Sequence, residues 1–187
     1  LLEGIEAGRI ALHGAEAMAL ADDPEKVHEL AEAGAAADAA ATARVRAQVA
    51  QAIRQAQREL LVVSPYLIPG ENGVQAIRRY RERGVRVTLM TNSLAATDEP
   101  LVHVGYRRYR HAILQEGAEL YEWSPARSGR VFRQLLRGLP VLRLHGKCAV
   151  IDREVVYLGS MNFDPRSRDF NTESGLLIRS PELAQEV

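Results

Sequence analysis

Two short apolar runs, Cys-Ala-Val-Ile at 148–151 and Val-Val-Tyr-Leu at 155–158, flank Asp152, Arg153 and Glu154. Runs of this length, rich in β-branched and aromatic residues and bounded by polar ones, predict two adjacent strands joined by a tight turn. The functional side chains stand only at the far ends: His145 and Lys147 before the first run, Gly159, Ser160 and Asn162 after the second. With a two-residue loop, Arg153-Glu154, Asp152 pairs with Val155, Lys147 falls opposite Ser160 and His145 opposite Asn162. Directly opposed residues share a face. A candidate nucleophile, a cation, a hydroxyl and an amide donor then converge at one end of one hairpin, and Gly159 leaves room for a group to approach the backbone. This is the donor set of a phosphate site. A three-residue loop would turn Ser160 and Asn162 to the other face. The short loop is the expectation taken here, although Arg-Glu is not the Asn-Gly pair that two-residue turns favour.

The remaining chain is long enough for one domain with a full core. Its 24 acidic and 24 basic residues balance, so net charge selects no class of partner. The single cysteine, Cys148, lies in the first apolar run on the face away from His145 and Lys147 and reads as a small core residue; no disulfide can form within the chain. No apolar run is long enough to span a bilayer, and no secretory signal pattern occurs. The chain starts at Leu1, and Ser180-Pro181-Glu182 reads as a helix start followed by only five residues, so an internal fragment is expected.

Residues 1–21 are alanine-rich and predict a helix with a weak stripe of Ile5, Ile10, Leu12 and Leu20, punctuated by Asp22-Asp23-Pro24-Glu25 as a turn and cap. Nine alanines between 31 and 43 favour a peripheral or linking helix. Val45, Val49, Ala52, Ile53 and Ala56 recur at helical spacing before the strand 60–63, which Ser64-Pro65-Tyr66 ends. A helix over 72–83, stopped by Gly84, and a strand over 85–90, ending at Thr91-Asn92-Ser93, complete a βαβ unit. Ligands gather beyond the carboxyl ends of such strands, where Ser64, Tyr66, Asn92 and Ser93 lie; alternatively these residues only cap strands and turns. A second crossover runs through a helix over 103–115 to a strand over 118–123. His103, Tyr106 and Arg110 share one face of that helix, which looks either toward the site or to water. His13, His28 and His111 have no partner pattern and read as ordinary surface residues. Between Trp123 and Asp152 stand six basic residues, Arg127, Arg130, Arg133, Arg137, Arg143 and Lys147, and no acidic one. Interleaved leucines give either a basic amphipathic segment for an anionic lipid surface or a loop covering a neighbouring edge.

His145-x-Lys147, four residues, Asp152, six residues, Gly159-Ser160-x-Asn162 resembles the His-Lys-Asp signature of the phospholipase D superfamily. Asp164-Pro165-Arg166-Ser167, Asn171-Thr172-Glu173, Ser64-Pro65-Tyr66 and Thr91-Asn92-Ser93-Leu94 resemble the cardiolipin synthase branch, and the resemblance runs from about Leu60 to the end of the chain. It implies an α/β domain at 59–187 with a phospholipase D-like mixed sheet, helices on both faces and the hairpin of 144–162 near its middle. Strands 60–63 and 85–90 are expected as parallel neighbours of that hairpin. Residues 1–58 are expected to form an alanine-rich helical linker region.

The same resemblance implies transfer of a phosphatidyl group through a phosphohistidine, with no cofactor or metal. Glu173, 28 residues beyond His145, is similar to the carboxylate that fixes the motif histidine's tautomer. Lys147, Asn162 and Ser160 would hold phosphate oxygens, and His103 and Tyr106 would stand behind them. Asp152 belongs to the motif, yet strand parity points it away from His145, so it is expected to brace the turn. A complete site needs two motif histidines, and no second His-x-Lys occurs in the 187 residues. The missing half would come either from a segment preceding Leu1 or from a second copy, as in the small single-motif nucleases of the superfamily. A third reading is a silent lobe that only binds phosphate head groups. Neutral charge disfavours nucleic acid. The expected partner is a phosphatidylglycerol-like phospholipid, met at the bacterial membrane surface as a peripheral protein.

Overall fold

The computed structural model describes residues 3, 4, 7, 12, 14–24, 44–124 and 143–187. The expected helix over 31–43 and the basic segment, apart from Arg143, lie outside the described residues. Among the described residues, seven strands form one mixed sheet in the order β1-β7-β6-β5-β2-β3-β4. They are β1 (Glu16–Ala21), β2 (Glu59–Val63), β3 (Arg86–Asn92), β4 (Glu119–Trp123), β5 (Cys148–Ile151), β6 (Val155–Gly159) and β7 (Ser174–Arg179). The described helices of five residues or more are α1 (Arg44–Arg54), α2 (Gly70–Glu82), α3 (Pro100–Gln115), α4 (Pro165–Asp169) and α5 (Pro181–Glu186).

β2, β3 and β4 are parallel, joined by the crossover helices α2 and α3; β5, β6, β7 and β1 are antiparallel. The hairpin β5–β6 lies in the middle, as expected, but its neighbour β2 runs antiparallel to β5, and β3 does not touch it. A strand that enters from the far end of the sheet after β4 has only this direction available. Alternation along β2 shows the two-sided burial: Leu60 and Val62 join the main core beneath α1, α2 and α3, while Leu61 packs with Val150, Val156 and Ala184 beneath α5.

The expected helix over 1–21 is overturned at its carboxyl end. Glu16–Ala21 is an edge strand antiparallel to β7, with only Leu20 buried. Its residues favour helix locally, but the free edge of β7 supplies a ladder of backbone partners that outweighs propensity. Within residues 1–58 the described elements are part of the sheet domain: β1 and α1, through Leu20, Val45 and Val49, belong to the same sheet and core. Asp22 joins them to the site. Its carboxylate accepts the Val45 N–H at 2.8 Å, in the first turn of α1, and the Glu173 N–H at 3.1 Å.

The hairpin loop has three residues. Ile151 pairs with Val155 and Cys148 with Leu158, leaving Asp152, Arg153 and Glu154 between the strands. Asp152 cannot pair with Val155 because it is held elsewhere. Its N–H donates to the Glu59 carbonyl, and its carboxylate accepts the N–H groups of Gln57, Arg58 and Glu59 at 2.7–3.2 Å. Asp152 and Arg153 both take left-handed conformations, φ 54° and 57°; aspartate tolerates this region better than most residues.

Candidate active site

His145 and Lys147 approach β5 along a segment that is positioned from β3. Asn92, the last residue of β3, accepts the Leu144 N–H through its side-chain oxygen and donates its amide to the Leu144 carbonyl, both at 3.0 Å. One side chain thus mimics a strand partner immediately before His145. Asn92 is itself buried, and the buried His103 ring is turned to its backbone. His103 meets Tyr106 edge to face at 5.4 Å, and the Tyr106 hydroxyl donates to Glu122 at 2.7 Å. Both residues therefore lie behind Asn92 in the core.

The Lys147 ammonium sits 3.3 and 3.5 Å from the two ring nitrogens of His145 and donates to the His145 carbonyl at 3.0 Å. At nearly equal distances from both nitrogens, the ammonium lies against the ring rather than along the in-plane lone pair of either one. Partial burial pushes the Lys147 pKa down, and the carboxylates of Glu173, Asp98 and Asp164 push it back up. Three acidic groups therefore face this one cation. Asp98 accepts the Tyr66 hydroxyl at 2.9 Å, and burial with that partner pushes the tyrosine up to about 12.

Glu173 is buried but does not hydrogen-bond to His145 among the described residues. Its carboxylate accepts the Ser160 hydroxyl, whose oxygen also accepts the Ser174 N–H at 3.0 Å. The observed register explains this. It places Lys147 opposite Gly159 and puts Ser160 on the opposite parity, so the parity argument for Ser160 and Asn162 fails. Ser160 reaches Glu173 because the chain leaves β6 after Gly159 and turns. The Glu173 backbone is pinned to Asp22, whose N–H donates to the Glu173 carbonyl at 2.9 Å.

Asn162 also differs from expectation. Its N–H donates to Ser167 Oγ at 3.1 Å, its side-chain oxygen is buried without a partner among the described residues, and no hydrogen bond joins it to His145 or Lys147. Ser64 ties two loops together: its hydroxyl donates to the Tyr66 carbonyl at 2.7 Å and accepts the Phe163 N–H at 3.2 Å. Ser93 donates its N–H to the Trp123 carbonyl at 2.9 Å, and its buried hydroxyl has no partner among the described residues. Gly159 does not open the backbone to a ligand. A Cβ there would strike the Tyr157 hydroxyl and the Ser174 carbonyl, so the space the glycine leaves is filled from within. Asp152 stands at the other end of β5, five residue steps and about 17 Å from Lys147.

Sequence reasoning missed Asp22, Asp98 and Asp164. Asp164 carried a legible signal, since Asp-Pro before a short polar run is an N-cap followed by N1 proline, and its side chain does accept the Ser167 N–H at 2.8 Å. Burial pushes the Asp164 carboxyl up.

A mixed sheet that sets a His-x-Lys pair beyond its central strands, with a buried carboxylate facing the lysine, is the frame of a phospholipase D-like domain. Residues 49–187 match the family "Cardiolipin synthase, PLD-like domain", and the chain belongs to that family. It is 42% identical over 128 residues to cardiolipin synthase C of Escherichia coli strain K12, covering 67% of this chain and 27% of that protein. It is 31% identical over 132 residues to cardiolipin synthase B of Shigella flexneri, covering 71% and 28%. The chain thus spans little more than a quarter of the length of these relatives. Among solved structures, the phospholipase D family member Nuc from Salmonella typhimurium shares the fold with a TM-score of 0.59 and 20% identity, over 91% of this chain and 89% of that one. Phosphatidylserine synthase of Haemophilus influenzae Rd KW20 does so with a TM-score of 0.51 and 20% identity, over 76% of this chain and 34% of that one.

Proposed function

We propose that this domain supplies one half of the active site of a phosphatidyltransferase of the cardiolipin synthase type, acting on phospholipids through a phosphohistidine. The observation that carries the reading is the pairing of the exposed His145 ring with the Lys147 ammonium, in a chain 42% identical to a cardiolipin synthase over this region. In the free site the Lys147 ammonium lies against the His145 ring, near both nitrogens. A bound phosphodiester offers the ammonium a stronger, charged acceptor. Movement of Lys147 to a non-bridging oxygen then uncovers the ring in the same step that fixes the phosphorus beside it. Ser160 and Glu173 form a relay beside this position, and Glu173 takes the imidazole N–H once the ring reorients. Asn162 donates its side-chain N–H to a phosphate oxygen.

One ring cannot attack phosphorus and also protonate the oxygen leaving on the opposite side. A second histidine must come from an amino-terminal half or from another copy of the chain. No described helix is long and apolar enough to cross a membrane, and the lipid would be met at the surface by a peripheral protein. The test is product formation from labelled phosphatidylglycerol by the chain alone, by the chain with an amino-terminal half, and by the His145→Ala variant, each with and without chelator. The expected result is little turnover alone, transfer on complementation, abolition by His145→Ala and indifference to chelator. Robust turnover by a strictly monomeric chain refutes the half-site, and loss on chelation refutes the covalent histidine. The second reading, a phosphodiesterase completed by two identical copies, is favoured by the single His-x-Lys; it requires turnover that rises with dimer fraction in the absence of any other half.

A further inference from the structure

The helices α1 and α2 cover the main-core face of the sheet without closing over its centre. α1 packs on β1, β7 and β5, while α2 packs on β3 and α3. Between them lies a cavity of about 810 Å³ whose floor is Leu60 and Val62 of the central strand with Val87 and Leu89 of β3, and whose walls include Ala50 and Ala76. This volume falls within the range of about 300–1,000 Å³ typical of small-molecule pockets. The width follows from the sheet. α1's footprint runs from β1 to β5, so its middle is about three and a half strand positions from β3, roughly 17 Å at about 4.8 Å per strand. Packed helices stand about 8–10 Å apart. The surplus of roughly 7–9 Å admits a hydrocarbon chain and excludes a further helix, whose diameter is about 10–12 Å.

The two ends of the slot differ. Both helices run back toward the amino end of β2, and there Arg54, Arg79 and Arg83 gather around Tyr80. Arg83 lies 5.0 Å over the Tyr80 ring and donates to the Ala56 carbonyl at 2.6 Å, which occupies it as a helix-end partner. Arg54 and Arg79 form no ion pair among the described residues. All three guanidinium groups pull the Tyr80 hydroxyl down against the rise imposed by its burial, which places three positive charges around one hydroxyl at the mouth. At the other end the slot closes on Leu67, Met161 and Phe163. A channel with an apolar floor and, at one mouth, Arg54, Arg79 and Arg83 against the single acid Glu82 is complementary to a single-chain amphiphile carrying an anion at one end.

We propose that the slot between α1 and α2 binds a long-chain anionic lipid, its carboxylate or phosphate held by Arg54 and Arg79 and its chain laid along β2 toward Met161. The arginine mouth lies at the opposite end of β2 from His145, while Asn162 and Asp164 line the inner end of the slot; the proposal stands whether or not the phosphatidyl-transfer reading holds. The experiment titrates the full 187-residue chain with a fluorescent fatty acid and displaces it with palmitate, a single-chain lysophosphatidylglycerol or the neutral palmityl alcohol. Saturable binding is expected, with both anions competing at least tenfold better than the alcohol. Ala50→Phe and Ala76→Phe, which place a ring in the channel, should each weaken binding at least tenfold with an unchanged circular-dichroism spectrum. The surface pair Arg54→Glu and Arg79→Glu should erase the preference for anions while the fold stays intact. His145→Ala should bind as the parent does. Absence of saturable binding, or binding unaffected by the channel and arginine variants in folded protein, overturns the proposal. Binding abolished by His145→Ala alone also overturns it, because the amphiphile would then sit at the phosphodiester site.

Discussion

Replacing Asp152 with asparagine isolates a charge from a shape. The carboxylate accepts three consecutive backbone N–H groups, Gln57, Arg58 and Glu59, and anchors the hairpin turn to the start of β2. A hydrogen bond to a charged acceptor contributes about 1.5–3 kcal/mol and a neutral one about 0.5–1.5, so three bonds lose roughly 3 kcal/mol in sum. Asp152 is only half-buried, and solvent screening reduces that to about 1–2 kcal/mol. For a chain of this length, that lowers the melting temperature by about 3–6 °C. The pH dependence carries the sharper test. Burial alone would raise the Asp152 pKa, but the N–H groups of Glu59, Arg58 and Gln57, with the Arg58 guanidinium, hold it below 3.8. A depressed carboxylate stabilises the fold above its unfolded pKa and ceases to do so as the pH falls through its folded value. Urea unfolding of the parent and Asp152→Asn should therefore differ by the full amount at pH 7 and converge below pH 3.8. Equal stability at pH 7, or a difference that persists unchanged in acid, would refute the assignment of this aspartate to the turn.

Asn92→Ala leaves the half-buried Leu144 N–H and carbonyl without partners and should cost about 2–3 kcal/mol in chemical unfolding. In the complemented enzyme, phosphatidyl transfer should fall at least a hundredfold, since a displacement of about 1 Å in His145 is enough for that loss. Gly159→Ala should destabilise by about 1–3 kcal/mol through overpacking against Tyr157. Tyr157→Phe should restore only part of it, because the Ser174 carbonyl still stands in the way. Glu173→Gln removes one of three acidic groups that raise the Lys147 pKa against its burial. The ammonium should then lose its proton at lower pH, shifting the alkaline limb of the transfer profile downward; an unmoved limb would separate Glu173 from Lys147.

The elements read most securely from sequence were those whose cause is local. The runs at 148–151 and 155–158 announce strands, and Gly84, at positive φ, closes a helix where the chain reverses. Register was not local. The loop length was decided by Gln57, Arg58 and Glu59, more than ninety positions from Asp152, which no turn rule includes. The strand at Glu16–Ala21 was illegible for the same reason: its partner β7 lies at the other end of the chain. His145 and Lys147 were legible as a pair because only two positions separate them. The reach of Ser160 to Glu173 was not, because it depends on the chain leaving β6 after Gly159. Asn92 was picked out by its place at a strand end, but nothing in the sequence says that its side chain would grip Leu144.

That grip has a consequence for how the domain can change. Trp123 is tied to the Ser93 N–H and Leu144 to the Asn92 side chain, so the chain leaves the sheet and returns to it on two adjacent residues. His145 therefore takes its place from the end of β3, and whatever shifts that strand end carries the histidine with it.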